Sequence, residues 1–289
     1  MNKFLKRIFY SGLVLFIILN IIGFLCLMVL KKSNFYKPEF VENGISQKKI
    51  DYVVLGSSTG LTSLDTKSLD SLTHKTGINI SMDDSALNSH LLMLEHFYKI
   101  GKSTDKLVLA ITPWDVQEKH PKLNNNDYRF LPYIYKDYVY DYYKKLEADF
   151  FKPLTFSRFL PIIGVSYYNT ELFYPSFIAA IKPKKRNRFD DKGNYSYPTS
   201  GQPSEIKNKV IKIQFNNPYF KKIEDFCFKK NIKLILYISP IYKTTVLNKT
   251  KYKIINHSNL LTEKIYFYDN IHVNQMGRKK CTMNFAKYL

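Results

Sequence analysis

Three side chains of the types that perform acyl transfer lie far apart in this sequence. Ser58 follows a short apolar run, Asp51–Leu55, and a glycine, while Asp269 and His272 stand near the C-terminus three residues apart. A serine hydroxyl becomes a good nucleophile only when a base takes its proton and a carboxylate orients that base. An imidazole serves as such a base at neutral pH. The three residues therefore predict a nucleophile, a base and an orienting carboxylate.

The turn around Ser58 has two interpretations. Gly56 allows a tight turn, and Ser58 would then begin a helix, where backbone N–H groups favour a developing anion. A Gly-Ser-Ser turn also connects strands to helices with Ser57 or Ser58 acting only as the N-cap. The position of Asp269-x-x-His272, between the last predicted strand and the last predicted helix, favours the catalytic interpretation.

Apolar strands alternate with helices along most of the chain, which predicts an α/β fold with a parallel sheet covered on both faces. The predicted strands are residues 51–55, 77–81, 106–111, 232–238 and 264–268, and the predicted helices are 61–73, 85–100, 218–230 and 275–289. Because the carboxyl ends of parallel strands meet at one edge, we expect Ser58 and His272 to lie there together.

Residues 116–205 interrupt this alternation. Their first part is rich in tyrosine, and residues 182–203 contain a Lys/Arg run followed by Gly, Ser and Pro. The segment is too long for a plain loop, so we predict a mostly helical insertion that ends in a flexible basic segment. Its aromatic side chains are compatible with a sugar-binding lid and equally with a cap packed onto the sheet.

Residues 1–32 predict an uncleaved membrane anchor. Met1–Arg7 carries three basic residues, Ile8–Leu30 is apolar and uncharged, and two lysines follow. About 20 apolar residues span a bilayer, and no small-x-small cleavage pattern follows the stretch. The basic N-terminus favours the cytoplasm for itself, which predicts a single-pass cell-membrane protein with an extracytoplasmic body. Residues 33–48 are predicted to form a polar stalk before a domain at 49–289.

The net charge of +20 suits an anionic partner such as membrane lipid, teichoic acid or acidic polysaccharide. A chain rich in Lys, Asn, Ile, Tyr and Phe, typical of A/T-biased coding, has such a charge whatever its function. No RNA- or DNA-binding signature accompanies the charge, so nucleic acid is not an expected partner. Cysteine and histidine residues lack metal-ligand spacing, so we expect no metal and no other cofactor.

Over residues 49–289, with the insertion excluded, the chain resembles the SGNH/GDSL hydrolase superfamily. Its first motif, Gly-Asp-Ser, matches Gly56-Ser57-Ser58, and its last, Asp-x-x-His, matches Asp269 and His272. The chain is most similar to the membrane-anchored, extracytoplasmic branch, which includes proteins of lipoteichoic-acid D-alanylation and polysaccharide O-acetylation. The resemblance implies a three-layer, flavodoxin-like fold with Ser58 as nucleophile, His272 as base and Asp269 as orienting residue.

The middle motifs depart from the family pattern. The second supplies a glycine N–H to the oxyanion, where this chain has Asn79–Met82, and the third supplies an asparagine amide, where it has Thr112–Asp115. Losing one oxyanion donor typically costs about 10²–10³ in rate. Either the backbone N–H groups of Ser58 and Ser81 form the oxyanion hole, or the activity is weak or tuned to one acyl donor.

Other polar and aromatic residues at strand ends are substrate candidates. Trp114 and Asp115 follow the third predicted strand, and Asp83 and Asp84 follow the second, near Ser81. The carboxylates are compatible with binding a cationic acyl group, such as a D-alanyl ester, and also with capping the helices that follow.

The expected function is serine-dependent acyl transfer, by an esterase or O-acyltransferase, on envelope polysaccharide or a teichoic-type polymer. The altered middle motifs keep open a weak or inactive SGNH-like scaffold that binds glycan or partners a membrane-bound O-acyltransferase. A lipase or phospholipase acting near the membrane is a third possibility.

Overall fold

The computed structural model describes residues 3–148 and 150–289, which divide into two compact units. One, here called the anchor unit, comprises Met1–Gly44 and Asp127–Asn187. The other, the sheet unit, comprises Ile45–Asn126 and Arg188–Leu289. Each unit is assembled from two separate stretches of chain, so these bounds differ from those of the predicted anchor, stalk and domain.

The elements are numbered in chain order. The α-helices are α1 (Lys3–Lys31), α2 (Lys37–Asn43), α3 (Ser58–Ser63), α4 (Thr66–Thr73), α5 (Leu87–Lys99), α6 (Pro113–Gln117), α7 (Asp137–Leu146), α8 (Pro153–Phe156), α9 (Pro161–Tyr167), α10 (Asn169–Ile181), α11 (Pro218–Lys229) and α12 (Gln275–Phe285). The strands are β1 (Lys49–Gly56), β2 (Gly77–Asn79), β3 (Ser103–Ala110), β4 (Lys209–Lys212), β5 (Lys233–Ile238), β6 (Thr244–Leu247) and β7 (Ile254–Asn256). Short 3₁₀ helices occupy Asp127–Tyr133, Lys264–Tyr266 and Ala286–Tyr288.

The sheet unit is built on a five-stranded parallel sheet with the order β2-β1-β3-β5-β7. Counted within this sheet the order is 2-1-3-4-5, the flavodoxin-like arrangement. A separate parallel pair joins β4 to β6. The predicted α/β fold is confirmed, and the buried apolar runs of β1 and β3 at its centre are typical of strands covered on both faces.

Helices cover the sheet. Tyr52 and Val54 of β1 share a buried cluster with Leu69 of α4 and Phe285 of α12. The helices α5 and α11 pack against each other and against β1 and β5 respectively. Because side chains alternate along a strand, the neighbours of Tyr52 and Val54 point to the opposite face. The sheet is therefore flanked by helices as the sequence predicts.

Close packing at the end of β1 positions the start of α3. A Cβ on Gly56 would come within 2.7 Å of the Ala110 carbonyl oxygen, and a Cβ on Gly60 within 2.9 Å of the Ala110 Cβ. Ala110 is the last residue of β3. The two glycines thus let the chain turn tightly against the neighbouring strand, and Ser58 lies at the carboxyl edge of the sheet.

The predicted fifth strand at residues 264–268 is wrong. Lys264–Tyr266 form a 3₁₀ turn, and Phe267 makes only an isolated antiparallel bridge with Val273. Phe267 is fully buried whereas Ile265 is 58% exposed. The apolar run therefore reflects the burial of one side chain, that of Phe267, and not a strand. The fifth strand of the sheet is β7, which has only three residues and lies at the edge.

The anchor unit contains the predicted N-terminal helix. At about 1.5 Å per residue the 29 residues of α1 extend about 43 Å, more than the roughly 30 Å of a bilayer core. Its length and composition suffice to cross a membrane. Residues of the predicted polar stalk instead form α2, in which Phe40 and Val41 are buried. The amide of Asn43 ties α2 to the carbonyl of Lys31 at 2.8 Å.

Candidate active site

The structure brings together the three residues predicted to be catalytic. His272 Nε2 lies 2.7 Å from Ser58 Oγ, and His272 Nδ1 lies 2.9 and 3.0 Å from the two carboxylate oxygens of Asp269. Each distance is that of a hydrogen bond. The arrangement is one in which a carboxylate orients an imidazole and the imidazole accepts the serine proton.

The loop that carries Asp269 and His272 is held by its own backbone. Asp269 Oδ1 accepts the N–H groups of Ile271 and His272, both at 2.8 Å. The Tyr268 N–H donates to the His272 carbonyl at 2.9 Å. Hydrogen bonds between residues close in sequence are therefore enough to orient the Asp269 carboxylate toward the His272 imidazole.

Electrostatics favours an ionised Asp269. Burial raises the pKa of its carboxyl, but the hydrogen bonds from the His272 side chain and from the backbone N–H groups outweigh that effect and leave the pKa below its ordinary value. An ionised carboxylate accepts a hydrogen bond from the Nδ1–H of His272. Nε2 then carries the lone pair that receives the proton of Ser58.

Tyr197 is a neighbour of the triad that the sequence did not reveal. Its ring lies 5.1 Å from the His272 ring at 46°, and it stacks on Tyr268 with 4.3 Å between centroids and 9° between planes. The Gln275 N–H donates to the Tyr197 carbonyl at 3.0 Å. The imidazole is thus flanked by a tyrosine that a separate stretch of chain supplies.

The stretch that supplies Tyr197 belongs to the basic segment predicted to be flexible. Lys192 Nζ forms an ion pair with Asp70 at 2.7 Å. Asn194 Oδ1 accepts the backbone N–H of Thr66 at 3.2 Å and its hydroxyl at 3.1 Å. These contacts correct the prediction for this part of the chain, because they bond it to α4 and its preceding turn.

A cavity of about 310 Å³ adjoins Ser58. Its walls follow the ends of β1, β2 and β3, and its lining residues are Ser57, Ser58, Asp84, Ser85, Ala86, Trp114, Asp115, Lys122, Leu123, Asn124 and Asn125. The strand order reverses at β1, and such a switch point at the carboxyl edge is where open α/β sheets bind ligands.

Two predicted substrate candidates, Trp114 and Asp115, line this cavity. Trp114 is 44% exposed, so its indole ring is available to a bound molecule. Asp115 is buried, and its Oδ2 has no hydrogen-bond partner in the described parts of the chain. Burial raises the pKa of Asp115 to about 6, although its hydrogen bonds with Thr112 lower it. An acceptor oxygen of Asp115 therefore lies buried in the wall of the cavity that Ser58 also lines.

Ser81, the predicted oxyanion candidate, does not line the cavity. It is fully buried, and its N–H donates to Asn79 Oδ1 at 3.0 Å. The next N–H, that of Met82, donates to the Gly56 carbonyl at 3.0 Å. Because both donors are used within the fold, the expectation that Ser81 contributes to the oxyanion hole is corrected.

The loop after α6 supplies lining residues that sequence reasoning missed. The Asn124 amide donates to Asn88 Oδ1 at 3.2 Å and to Ser89 Oγ at 2.8 Å, which attaches the loop to α5. Lys122 and Asn125 are exposed on the same wall. The run of three asparagines at 124–126 was the only sequence signal for this polar wall.

The carboxylates of Asp83 and Asp84, which follow β2, have different surroundings. Asp84 is exposed in the cavity wall and has a left-handed backbone with φ 47°. Asp83 instead accepts the Asn126 amide at its carbonyl and its carboxylate, at 2.9 and 3.2 Å. Asp84 is thus the member of the pair that lines the cavity.

Comparison with models of known protein families gave no match, and comparison with curated proteins gave none either. Within residues 3–148 and 150–289, His, Cys, Asp and Glu side chains form no group of three or more that could hold a metal ion. The residues that line the site are therefore what indicates its chemistry.

Proposed function

We propose that the protein catalyses serine-dependent acyl transfer, as an esterase or O-acyltransferase of the SGNH/GDSL type. The observation that carries the proposal is the continuous chain of hydrogen bonds from Ser58 Oγ through His272 to Asp269. The flavodoxin-like strand order and the cavity at its switch point support it.

The reaction follows from this geometry. Ser58 Oγ attacks the acyl carbonyl while its proton passes to His272 Nε2. The tetrahedral intermediate collapses when the protonated imidazole gives this proton to the leaving oxygen, which leaves an acyl-serine. Water or a sugar hydroxyl then attacks the acyl-serine with His272 again as base, and the serine is regenerated.

Two donors are available for the oxyanion. Ser58 begins α3, and N–H groups in the first turn of a helix have no intrahelical partner. Asn125 presents an exposed amide in the cavity wall, and it would replace the asparagine that the third family motif lacks here. The Lys122 ammonium on the same wall adds positive charge.

The cavity wall supports a polar substrate. Asp115 offers a buried acceptor and Asp84 an exposed carboxylate, which suit hydroxyl or ammonium donors, and Trp114 offers an aromatic surface. We therefore assign as substrates the acyl groups of envelope polysaccharide or of a teichoic-type polymer, D-alanyl esters among them. The helix α1 would anchor the protein as a single-pass span with an extracytoplasmic body.

A fluorophosphonate probe tests this proposal, because it labels only an activated serine. We expect labelling at Ser58, its loss in Ser58→Ala and His272→Ala, and its retention in Ser57→Ala. Ser57 is the matched control, since its hydroxyl lies 3.3 Å from Thr59 Oγ1 and is not bonded to the imidazole. Well-folded wild-type protein that takes up no probe would refute the proposal.

The second candidate is a non-catalytic scaffold that binds glycan or partners a membrane-bound O-acyltransferase. The internal bonds of the Ser81 and Met82 N–H groups favour it, because they remove two oxyanion donors. This candidate predicts polymer binding that Ser58→Ala leaves intact, together with no probe labelling of the wild-type chain.

A further inference from the structure

The anchor unit exposes a large apolar surface outside α1. Within residues 150–181 only Lys152, Arg158 and Glu171 are charged. The exposed apolar side chains, here called the aromatic face, are Phe150, Phe151, Phe156, Phe159, Tyr167, Phe173, Tyr174, Phe177 and Ile181. Ring contacts join Phe151 to Phe156 and Tyr167, and Phe173 to Phe177, and exposed apolar surface of this kind marks a site of interaction with protein or membrane.

The segment that carries the aromatic face packs on the C-terminal part of α1. A Cβ on Gly23 would come within 2.6 Å of the Ile162 nitrogen, so the backbone of α9 touches α1 at this glycine. Gly23 lies seven residues before Leu30, the end of the uncharged stretch. At about 1.5 Å per residue, α9 therefore meets α1 about 10 Å inside that stretch.

The chain leaves α10 at the level where α1 ends. The Asn34 N–H donates to the Pro183 carbonyl at 2.7 Å, and the Asn187 N–H donates to the Phe35 carbonyl at 2.8 Å. Residues 182–187 include four basic and no acidic side chains, and Lys31 and Lys32, at the end of α1, closely precede the Asn34 and Phe35 that bond to this segment. Positive charge thus collects where the apolar stretch stops.

We propose that residues 150–181 are seated in the membrane beside α1. This rests on α1 spanning the bilayer, which is part of the proposed localisation and independent of the proposed chemistry. With the end of α1 at the interface, α9 lies about 10 Å deep, within reach of the roughly 5–10 Å burial of interfacial helices. The basic residues 182–187 then lie among anionic headgroups.

The aromatic face continues the apolar surface of α1, which indicates that lipid covers it. Phe24 and Leu25, next to the contact with α9, are 41% and 53% exposed, so the apolar surface runs from the helix onto the aromatic face. Arg158 does not break it, because its guanidinium pairs with Asp137 at 3.0 Å and lies 4.4 Å from the centre of the Tyr140 ring.

Depth-dependent fluorescence quenching in the full-length chain tests the proposal. In a Trp114→Phe background, which removes the only tryptophan, single tryptophans would be placed by Phe177→Trp, Phe159→Trp and Lys144→Trp. Lys144 is the matched control because it is exposed on α7 of the same unit. Liposomes would contain phosphatidylglycerol and phosphatidylcholine brominated on the acyl chains, and circular dichroism would check folding.

We expect the tryptophans at 177 and 159 to be quenched at least twofold more than the one at 144. This ratio of quenching should not change when the ratio of lipid to protein is raised tenfold. Equal quenching at 144 and at both aromatic positions would overturn the proposal. Blue-shifted but unquenched emission would also overturn it, because the face would then be covered by a second copy or another protein. Fluorophosphonate labelling of the wild-type chain in the same liposomes reports separately on the proposed chemistry.

Discussion

The ring of Tyr197 lies against the imidazole of His272, with 5.1 Å between their centres. Tyr197 reaches this position because its backbone bridges that of Asn274, the residue that caps α12. The same ring stacks on Tyr268, which precedes the Asp269–His272 loop. The His272 imidazole is therefore packed between its own loop and the segment that carries Tyr197, which is distant in sequence.

Two replacements of Tyr197 should distinguish the contribution of its ring from that of its hydroxyl to kcat. Because the contact is made by the ring, we expect Tyr197→Phe to keep kcat within about twofold and Tyr197→Ala to lower it about tenfold, as a less well-positioned base would. Steady-state ester hydrolysis measures both variants. Equal activity of the alanine and phenylalanine variants would show that the ring contact does not position His272.

Asp269→Asn should affect kcat far more than KM. An asparagine amide donates to Nδ1 and favours the wrong imidazole tautomer, and in other serine hydrolases this change costs about 10⁴ in kcat. We expect a loss of about 10²–10⁴ with an unchanged fold. Asp225→Asn, which alters an exposed carboxylate of α11 that pairs with Lys221, is the control. A variant that keeps half the wild-type kcat would contradict the role given to Asp269.

Asn125→Ala tests the proposed oxyanion donor. We expect kcat to fall about 10²–10³ with little change in KM, the usual result of removing one such donor. Asn124→Ala serves for comparison, because its amide attaches the loop to α5 and its loss should reduce stability first. If Asn125→Ala is fully active, the oxyanion is stabilised by other groups.

Asp115→Asn should make the protein more stable and less able to bind a donor group. Burial raises the folded-state pKa of Asp115 from 3.8 to about 6. Below about pH 4 the group is protonated in both states and costs nothing. Between about pH 4 and pH 6 the unfolded chain loses this proton while the folded carboxyl keeps it, so the fold is progressively destabilised, by up to about 3 kcal/mol above pH 6.

Urea unfolding at pH 4, 6 and 8 measures this effect. We expect Asp115→Asn to gain about 1–3 kcal/mol at pH 8 and to match the wild type near pH 4. A constant difference at all three pH values would mean that ionisation of Asp115 does not destabilise the fold.

The sequence was sufficient for the central strands and for the meeting of Ser58, Asp269 and His272. The apolar runs of β1, β3 and β5 leave few alternatives to buried parallel strands. Ser58 was recognised from its place after β1, and Asp269 and His272 from their spacing, although the strand predicted before them is wrong. The three-residue edge strand β7 has too short a pattern to recognise. The wall residues Lys122, Asn124 and Asn125 were missed because contacts distant in sequence place their loop, as with Tyr197.

The distance in sequence between Ser58 and His272 has a consequence for biosynthesis. The two residues are 214 positions apart, yet their side chains share a hydrogen bond. A ribosome delivers Ser58 early and His272 only after β5 and β7 have been made. Under the proposed mechanism, a nascent or prematurely terminated chain that lacks His272 therefore carries a serine without its base, and reactivity would arise only once the late part of the polypeptide has been synthesised.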